Sequence, residues 1–159
     1  MKHVRLLAAL GILGLVAAIS SVALVHAQND QDQGSNGRSY IISLTDSLGN
    51  FDSRGVISLH ADHTMSVIDS GEGGPAFLYS SQLGSWKPNR TGGIVARTID
   101  FNFPNVDVVR LDYTISFAQD GTQVTGTITL TAFPLQGDPL GSGGTVIATF
   151  TFAGQLIEP

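Results

Sequence analysis

The sequence predicts an all-β chain: an up-and-down antiparallel β-barrel of about eight strands. Three observations carry this. Apolar and small polar residues alternate through four successive segments, Ile94–Phe103, Val106–Phe117, Thr122–Phe133 and Thr145–Ile157. In the second of these, Val109, Leu111, Tyr113, Ile115 and Phe117 share one face and Val108, Arg110, Asp112, Thr114 and Ser116 the other, the period of two of a strand with one side in a core. Short Asn-, Asp- and Gly-rich turns join the segments, and beyond residue 27 no segment carries a helical period.

Residues 1–27 read as a signal peptide. Lys2 and Arg5 form a basic start, Leu6–Val25 is a 20-residue uncharged stretch, and Val25-His26-Ala27 ends it with small residues at the −3 and −1 positions. This pattern predicts cleavage after Ala27 and a secreted or periplasmic chain without a membrane span once the signal is removed. The competing reading is a retained anchor, weakened by Gly11, Gly14, Ser20 and Ser21 within the stretch. Cleavage removes two of the eight basic residues and none of the thirteen acidic ones, moving the net charge from −5 to −7. Six scattered cations make no basic stripe for a phosphate backbone, so nucleic acid is not an expected partner. The absence of cysteine excludes a lipoprotein anchor, thiolate metal sites and a Cys nucleophile.

Residues 28–39 (QNDQDQGSNGRS) form a polar leader expected to be disordered, and residues 40–159 a single barrel domain. Tyr40–Thr45 is the first strand, and Ser47–Ser53 is turn chemistry around Gly49-Asn50. Gly55–His60 and Thr64–Asp69 form a hairpin whose Ile57, Leu59, Met65 and Val67 share a face. Its Ser58–Thr64 echoes Ser116–Thr122, which places His63 where Asp120-Gly121 puts a glycine. His63 is therefore expected to take a positive φ at the hairpin tip. The less regular stretch from Gly71 to Gly93 contains Phe77, Leu78, Tyr79, Leu83 and Trp86. It is too apolar for an exposed loop and is expected to supply an eighth strand within Phe77–Trp86, or a lid over a barrel mouth.

The polar leader, the hairpin with Ala61-Asp62-His63-Thr64, Gly84-Ser85-Trp86, and the run Thr125-Gly126-Thr127-Ile128-Thr129-Leu130 resemble a family of small secreted bacterial proteins. These are described as lipocalin-like or calycin-like barrels, and the similarity spans about Tyr40 to Ile157. The resemblance implies a lipocalin/calycin-like fold. It brings no catalytic or binding residue with it.

The side chains offer few chemical constellations. His60, Asp62 and His63 are metal-type ligands, but a hairpin tip aims them at solvent without a third specified partner, and no metal site is expected. Arg97 shares parity with Val95, Ile99, Phe101 and Phe103. That predicts either an inward anchor for an acidic head group or a rim residue with its guanidinium in water. Trp86, Phe101, Tyr113, Phe117, Phe150 and Phe152 are bulky enough to line a pocket or to fill the core. As paired carboxylates, Asp69 and Glu72 flank a Gly-rich loop that could bring them close, although acids in such loops are ordinarily solvated. No Gly-x-Ser-x-Gly motif is present, and the Gly-rich runs lack the lysine and following helix of a phosphate cradle.

These observations predict a container for a small apolar or amphipathic ligand, with Trp86, Arg97, Phe101, Tyr113 and Phe117 as candidate binding residues. No catalytic residue and no cofactor is assigned. Two alternatives stand beside it. One is a cyclase- or isomerase-type enzyme using the interior, with Arg97, Asp112 and Tyr113 the first residues to test. The other is a filled barrel acting as a structural or interaction module through its Thr125, Thr127, Thr129 and Thr131 face.

Overall fold

The computed structural model describes residues 37–72, 79–103, 105 and 107–159. The segment read as a signal peptide and nearly all of the polar stretch read as a leader lie outside these residues. Eight strands follow one another: β1 (Arg38–Thr45), β2 (Phe51–Leu59), β3 (Thr64–Asp69), β4 (Gln82–Pro88), β5 (Ile94–Asn102), β6 (Asp107–Phe117), β7 (Gln123–Pro134) and β8 (Thr145–Leu156). Each pairs antiparallel with its neighbours in sequence, and β8 pairs with β1, so the sheet closes into an up-and-down barrel. Closure removes both sheet edges, which satisfies the backbone of every strand without another layer.

The boundaries differ from the sequence reading in four places. β1 starts at Arg38, inside the segment read as leader. β2 starts at Phe51, inside the stretch read as turn, because Thr45 pairs with Phe51 across a tight connection. The eighth strand is Gln82–Pro88, running two residues past the window expected for it. A 3₁₀ turn at Ser70–Glu72 leaves β3.

The hairpin echo is seen in the backbone. His63 has φ 68° and Gly121 has φ 69°. Asp62 accepts from the Thr64 amide at 3.0 Å and hydroxyl at 2.6 Å, and Asp120 does the same for Thr122 at 3.0 and 2.8 Å. Asn89 caps Thr91 in like manner before Gly92. Three Asx-capped turns thus close one end of the barrel, where the first strand also begins and the last strand ends. The other end carries the turn at residues 46–50, the end of β3, the start of β4, the facing ends of β5 and β6, and the connection at residues 135–144.

Facing residues in an antiparallel pair lie on the same side of the sheet, so one strand fixes the orientation of the next. Val109, Leu111, Tyr113 and Ile115 are buried inside the barrel, as their alternation predicts. Arg97 stands opposite Asp112, on the outer side. The inward set of β5 is therefore Ile94, Ala96, Thr98, Asp100 and Asn102, all buried, and Val95, Arg97, Ile99 and Phe101 face outward. This reverses the parity read from the sequence.

The closed end is filled. Tyr40, Leu59, Met65, Trp86, Ile94, Ile115 and Phe152 belong to one buried cluster, with Phe117 packed against it. Tyr40 and Phe117 meet with ring centroids 6.0 Å apart, and the Tyr40 hydroxyl donates to the Gly121 carbonyl at 3.1 Å. A side chain at Gly126 would collide with the Phe152 ring, its Cβ lying 2.5 Å from Cζ. Glycine there is what lets the ring lie across the interior. Outside the barrel, the 135–144 connection folds back over β6 and β7. Arg110 donates to the carbonyls of Pro139 (3.0 Å) and Gly141 (2.8 Å) and lies 5.1 Å from the Phe133 ring centre.

A cavity at the open end of the barrel

The end opposite the Asx-capped turns is hollow. A cavity of about 250 Å³ enters the barrel there. Its walls are Ile42, Leu44, Val67, Leu111, Ile128 and Leu130, with Val109 and Phe150 beside them, and Tyr113 and Gln82 reach it from deeper in the barrel. The mouth is different in kind: Asp52, Ser53, Asp69, Glu72 and Asp100 gather there with Tyr79, and among the described residues no Lys, Arg or His lines the space.

Each acid is held by the local backbone. Asp69 ends β3 opposite Gly55; a Cβ at Gly55 would lie 3.1 Å from Asp69 Oδ2, so glycine leaves the carboxylate room. Asp69 Oδ1 accepts from the Gly71 amide at 2.6 Å. The 3₁₀ turn then brings Glu72 back over the strand end, where Oε2 accepts from the Asp69 amide at 3.2 Å. Asp100 points inward from β5 and accepts from the Ser80 hydroxyl at 2.6 Å.

Gln82 ties this mouth to the interior. Its Nε2 donates to Glu72 Oε1 at 2.8 Å, and its Oε1 accepts from the Thr98 hydroxyl at 2.9 Å and from the Tyr113 hydroxyl. The amide has this orientation because a carboxylate offers only acceptors and the two hydroxyls have protons to give. Among the described residues, no buried side-chain nitrogen or oxygen is left without a partner. The cluster is a satisfied network placed in an apolar interior, the condition under which buried polar groups are tolerated.

Burial shifts the protonation of these groups. Glu72 is pushed up to about 7, first by desolvation and further by the charges of Asp100 and Asp69, while its bonds to Gln82 and the Asp69 amide oppose the shift. Desolvation likewise raises Asp69, with Asp52 adding to it. Asp100 is raised by desolvation against its bonds to Ser80 and the backbone. The Tyr113 hydroxyl is driven well above its ordinary range by burial and stays protonated. Among the described residues, none of the mouth acids forms an ion pair: the two present are Arg97–Asp112 and Arg110–Asp112, both on the outer face.

Of the five candidate binding residues, only Tyr113 lines the cavity. Trp86 is buried in the wall at the closed end, not in a lid. Its indole N–H donates to the His60 carbonyl at 3.2 Å, and the His63 ring stacks on it with centroids 4.3 Å apart. Phe117 packs at that same end. Phe101 is 47% exposed on the outer face. Arg97 is also outside, its Nε 2.6 Å from Asp112 Oδ1, so it is no inward anchor; with Trp86, Asp112 and Tyr113 it lines a separate depression. Asp62 is occupied capping Thr64 and His63 stacks on Trp86. Among the described residues, no group of three metal-type ligands converges. Phe77 and Leu78 fall outside the described residues.

The site residues that sequence reasoning missed are Gln82, Thr98 and Asp100. Asp69 and Glu72 were read as solvated loop acids, and they are half-buried at the cavity mouth instead. Comparison with family models, with curated proteins and with solved structures finds no match to this chain. The site's meaning therefore rests on its own chemistry.

Proposed function

We propose that this protein is an exported lipocalin-like container that holds one small apolar or amphipathic molecule inside the barrel. The observation that carries the reading is the cavity of about 250 Å³ with a continuous aliphatic wall and one polar mouth. That volume lies just below the usual range for drug-sized ligands, roughly 300–1,000 Å³, so the occupant is small. A filled-barrel module is the weaker reading, because a filled barrel has no such space.

Titration of the protein with a series of straight-chain alcohols, butanol to octanol, followed by amide NMR shifts, tests the reading. Each added methylene should tighten binding by about 0.8 kcal/mol until the cavity is full. The shifting resonances should be those of Ile42, Val67, Leu111 and Ile128. No binding by any member, or shifts confined to the outer face, would sink it. Export is tested separately: the secreted chain should begin at Gln28.

The proton affinity of Glu72 favours a second reading, an isomerase that moves a proton on a bound apolar substrate. A carboxyl poised near neutrality beside an apolar cavity suits general acid–base catalysis. It predicts turnover of an enolisable ketone that Glu72→Gln abolishes without weakening its binding.

A further inference from the structure

We infer that the molecule held in this cavity carries a protonated amine, seated at the mouth between Glu72, Asp69 and Asp100. The inference rests on the container reading and adds the chemical class of its ligand.

The argument begins with the division of the cavity. An aliphatic wall and an acidic mouth border one space, so an occupant that touches both is amphipathic. The sign of the mouth follows from every element around it. β2 contributes Asp52, β3 Asp69, the 3₁₀ turn Glu72 and β5 Asp100. Tyr79 and Tyr113 are the other ionisable groups that face the space, and both are neutral when protonated. Arg54, beside Ser53, alternates to the outer side of β2. The six residues between Glu72 and Tyr79, Gly-Gly-Pro-Ala-Phe-Leu, contain no cation.

A carboxylate ligand would enter a field of one sign and meet no cationic donor. A neutral head group could hydrogen-bond but would leave the acids uncompensated. An ammonium offers several donors and one positive charge to acids that have no ion-pair partner among the described residues. Hydrogen bonds to ionised groups are about twice as strong as neutral ones, and the half-buried setting weakens the screening that makes surface pairs nearly worthless. The desolvation that raises the three acids is then relieved by the ligand, which couples binding to their ionisation.

Hexylamine and 1-hexanol share one apolar body and differ only in the head, and hexanoate carries a carboxylate on a chain one methylene shorter. Their affinities, measured by NMR titration or calorimetry at pH 8, should rank hexylamine first by about tenfold or more over hexanol, with hexanoate weakest. Between pH 8 and pH 5 the hexylamine affinity should fall as Glu72 takes up its proton, and the hexanol affinity should not. Glu72→Gln should bring hexylamine to within about threefold of hexanol. Asp100→Asn provides the same test should that variant fold poorly. Asp120→Asn, in a turn at the closed end, should change nothing; an equal loss there would mean bulk attraction to an acidic protein and would overturn the inference. Equal affinities for amine and alcohol, or tighter binding of hexanoate, would also overturn it while leaving the container reading standing. Failure of all three probes, hexanol included, would remove the container reading and this one with it.

Discussion

The two ends of this barrel are made from the same alternating strands and are filled in opposite ways. At the closed end the inward positions carry Tyr40, Leu59, Met65, Trp86, Ile115 and Phe152, and short Asx-capped turns bring the strands together over them. At the open end the inward positions near the strand tips carry Ser53, Asp69, Asp100 and Asn102. Gln82, Thr98 and Tyr113 form a hydrogen-bonded layer between the two. Strand alternation is thus a scaffold indifferent to what it encloses. One end is closed over with apolar side chains, and the other gives up part of that packing for polar groups that need partners. Local departure from good core chemistry at an otherwise consistent fold is a mark of function.

Truncation of aromatic residues exposes this difference most strongly. Phe152→Ala, in the closed end, should cost about 3–5 kcal/mol in denaturant unfolding. Phe150→Ala, two residues earlier on the same strand and on the cavity wall, should cost roughly half of that, because part of its ring already borders open space. Equal losses would mean that the two ends are packed alike.

The contrast also explains what could be read from the sequence. β6 and β7 were legible because their apolar positions alternate cleanly, and the paired hairpins were legible because Asp-Gly and Asp-His place a left-handed residue at a fixed offset. β5 was not. Its outward residues, Val95, Ile99 and Phe101, are more apolar than its inward Thr98, Asp100 and Asn102, so hydrophobicity alone selects the wrong face. The correct face follows from pairing: Arg97 and Asp112 are cross-strand neighbours of opposite charge, and Asp112 is outward because Leu111 and Tyr113 are inward. A site that places polar groups inside a barrel erases the periodicity that would reveal it. Asp69 and Glu72 were visible as a pair, but only the return of the 3₁₀ turn over the strand end buries them.

Adding volume should separate the ends next. Ala96 stands directly opposite Trp86 on one side and Tyr113 on the other. Ala96→Leu must displace packed rings and should cost about 1–3 kcal/mol. Leu130→Phe adds its atoms to the cavity, so its cost should be below about 1 kcal/mol while alkanol binding is lost. A large penalty for Leu130→Phe would show that the space seen at the open end is not available to a guest.

The pH dependence of stability carries a smaller signature, since solvent at the mouth screens part of the interaction. Glu72 ionises near 7 in the folded chain against an ordinary 4.5, so the native state holds the proton more tightly than the unfolded state. Stability must therefore fall as pH rises from about 4.5 to 7, with Asp69 and Asp100 acting in the same direction. Asp46, Asp62 and Asp120, held below their usual value by turn hydrogen bonds, act oppositely and only below about pH 4. Glu72→Gln should flatten the fall between pH 4.5 and 7 and leave the acid limb as it is. An unchanged slope in urea unfolding across that range would place the titration elsewhere.

The smallest effect belongs to the residue whose position depends most on how β5 is oriented. Arg97 is 45% exposed and shares Asp112 with Arg110, which is only 13% exposed and is held in addition by two carbonyls of the 135–144 connection. Removing Arg97 leaves Asp112 paired and Arg110 in place. An exposed pair of this kind contributes about 0–1 kcal/mol, so Arg97→Ala should shift the unfolding midpoint only slightly and leave hexanol affinity unchanged. An inward arginine would behave differently on both counts: its loss would free a buried carboxylate, at a cost of several kcal/mol, and would enlarge the cavity. A silent Arg97→Ala beside a costly Ala96→Leu, one residue away, would locate the inner and outer faces of β5 by experiment. The acids at the mouth could then belong to the interior only through Asp100 and its neighbours on that same inner face.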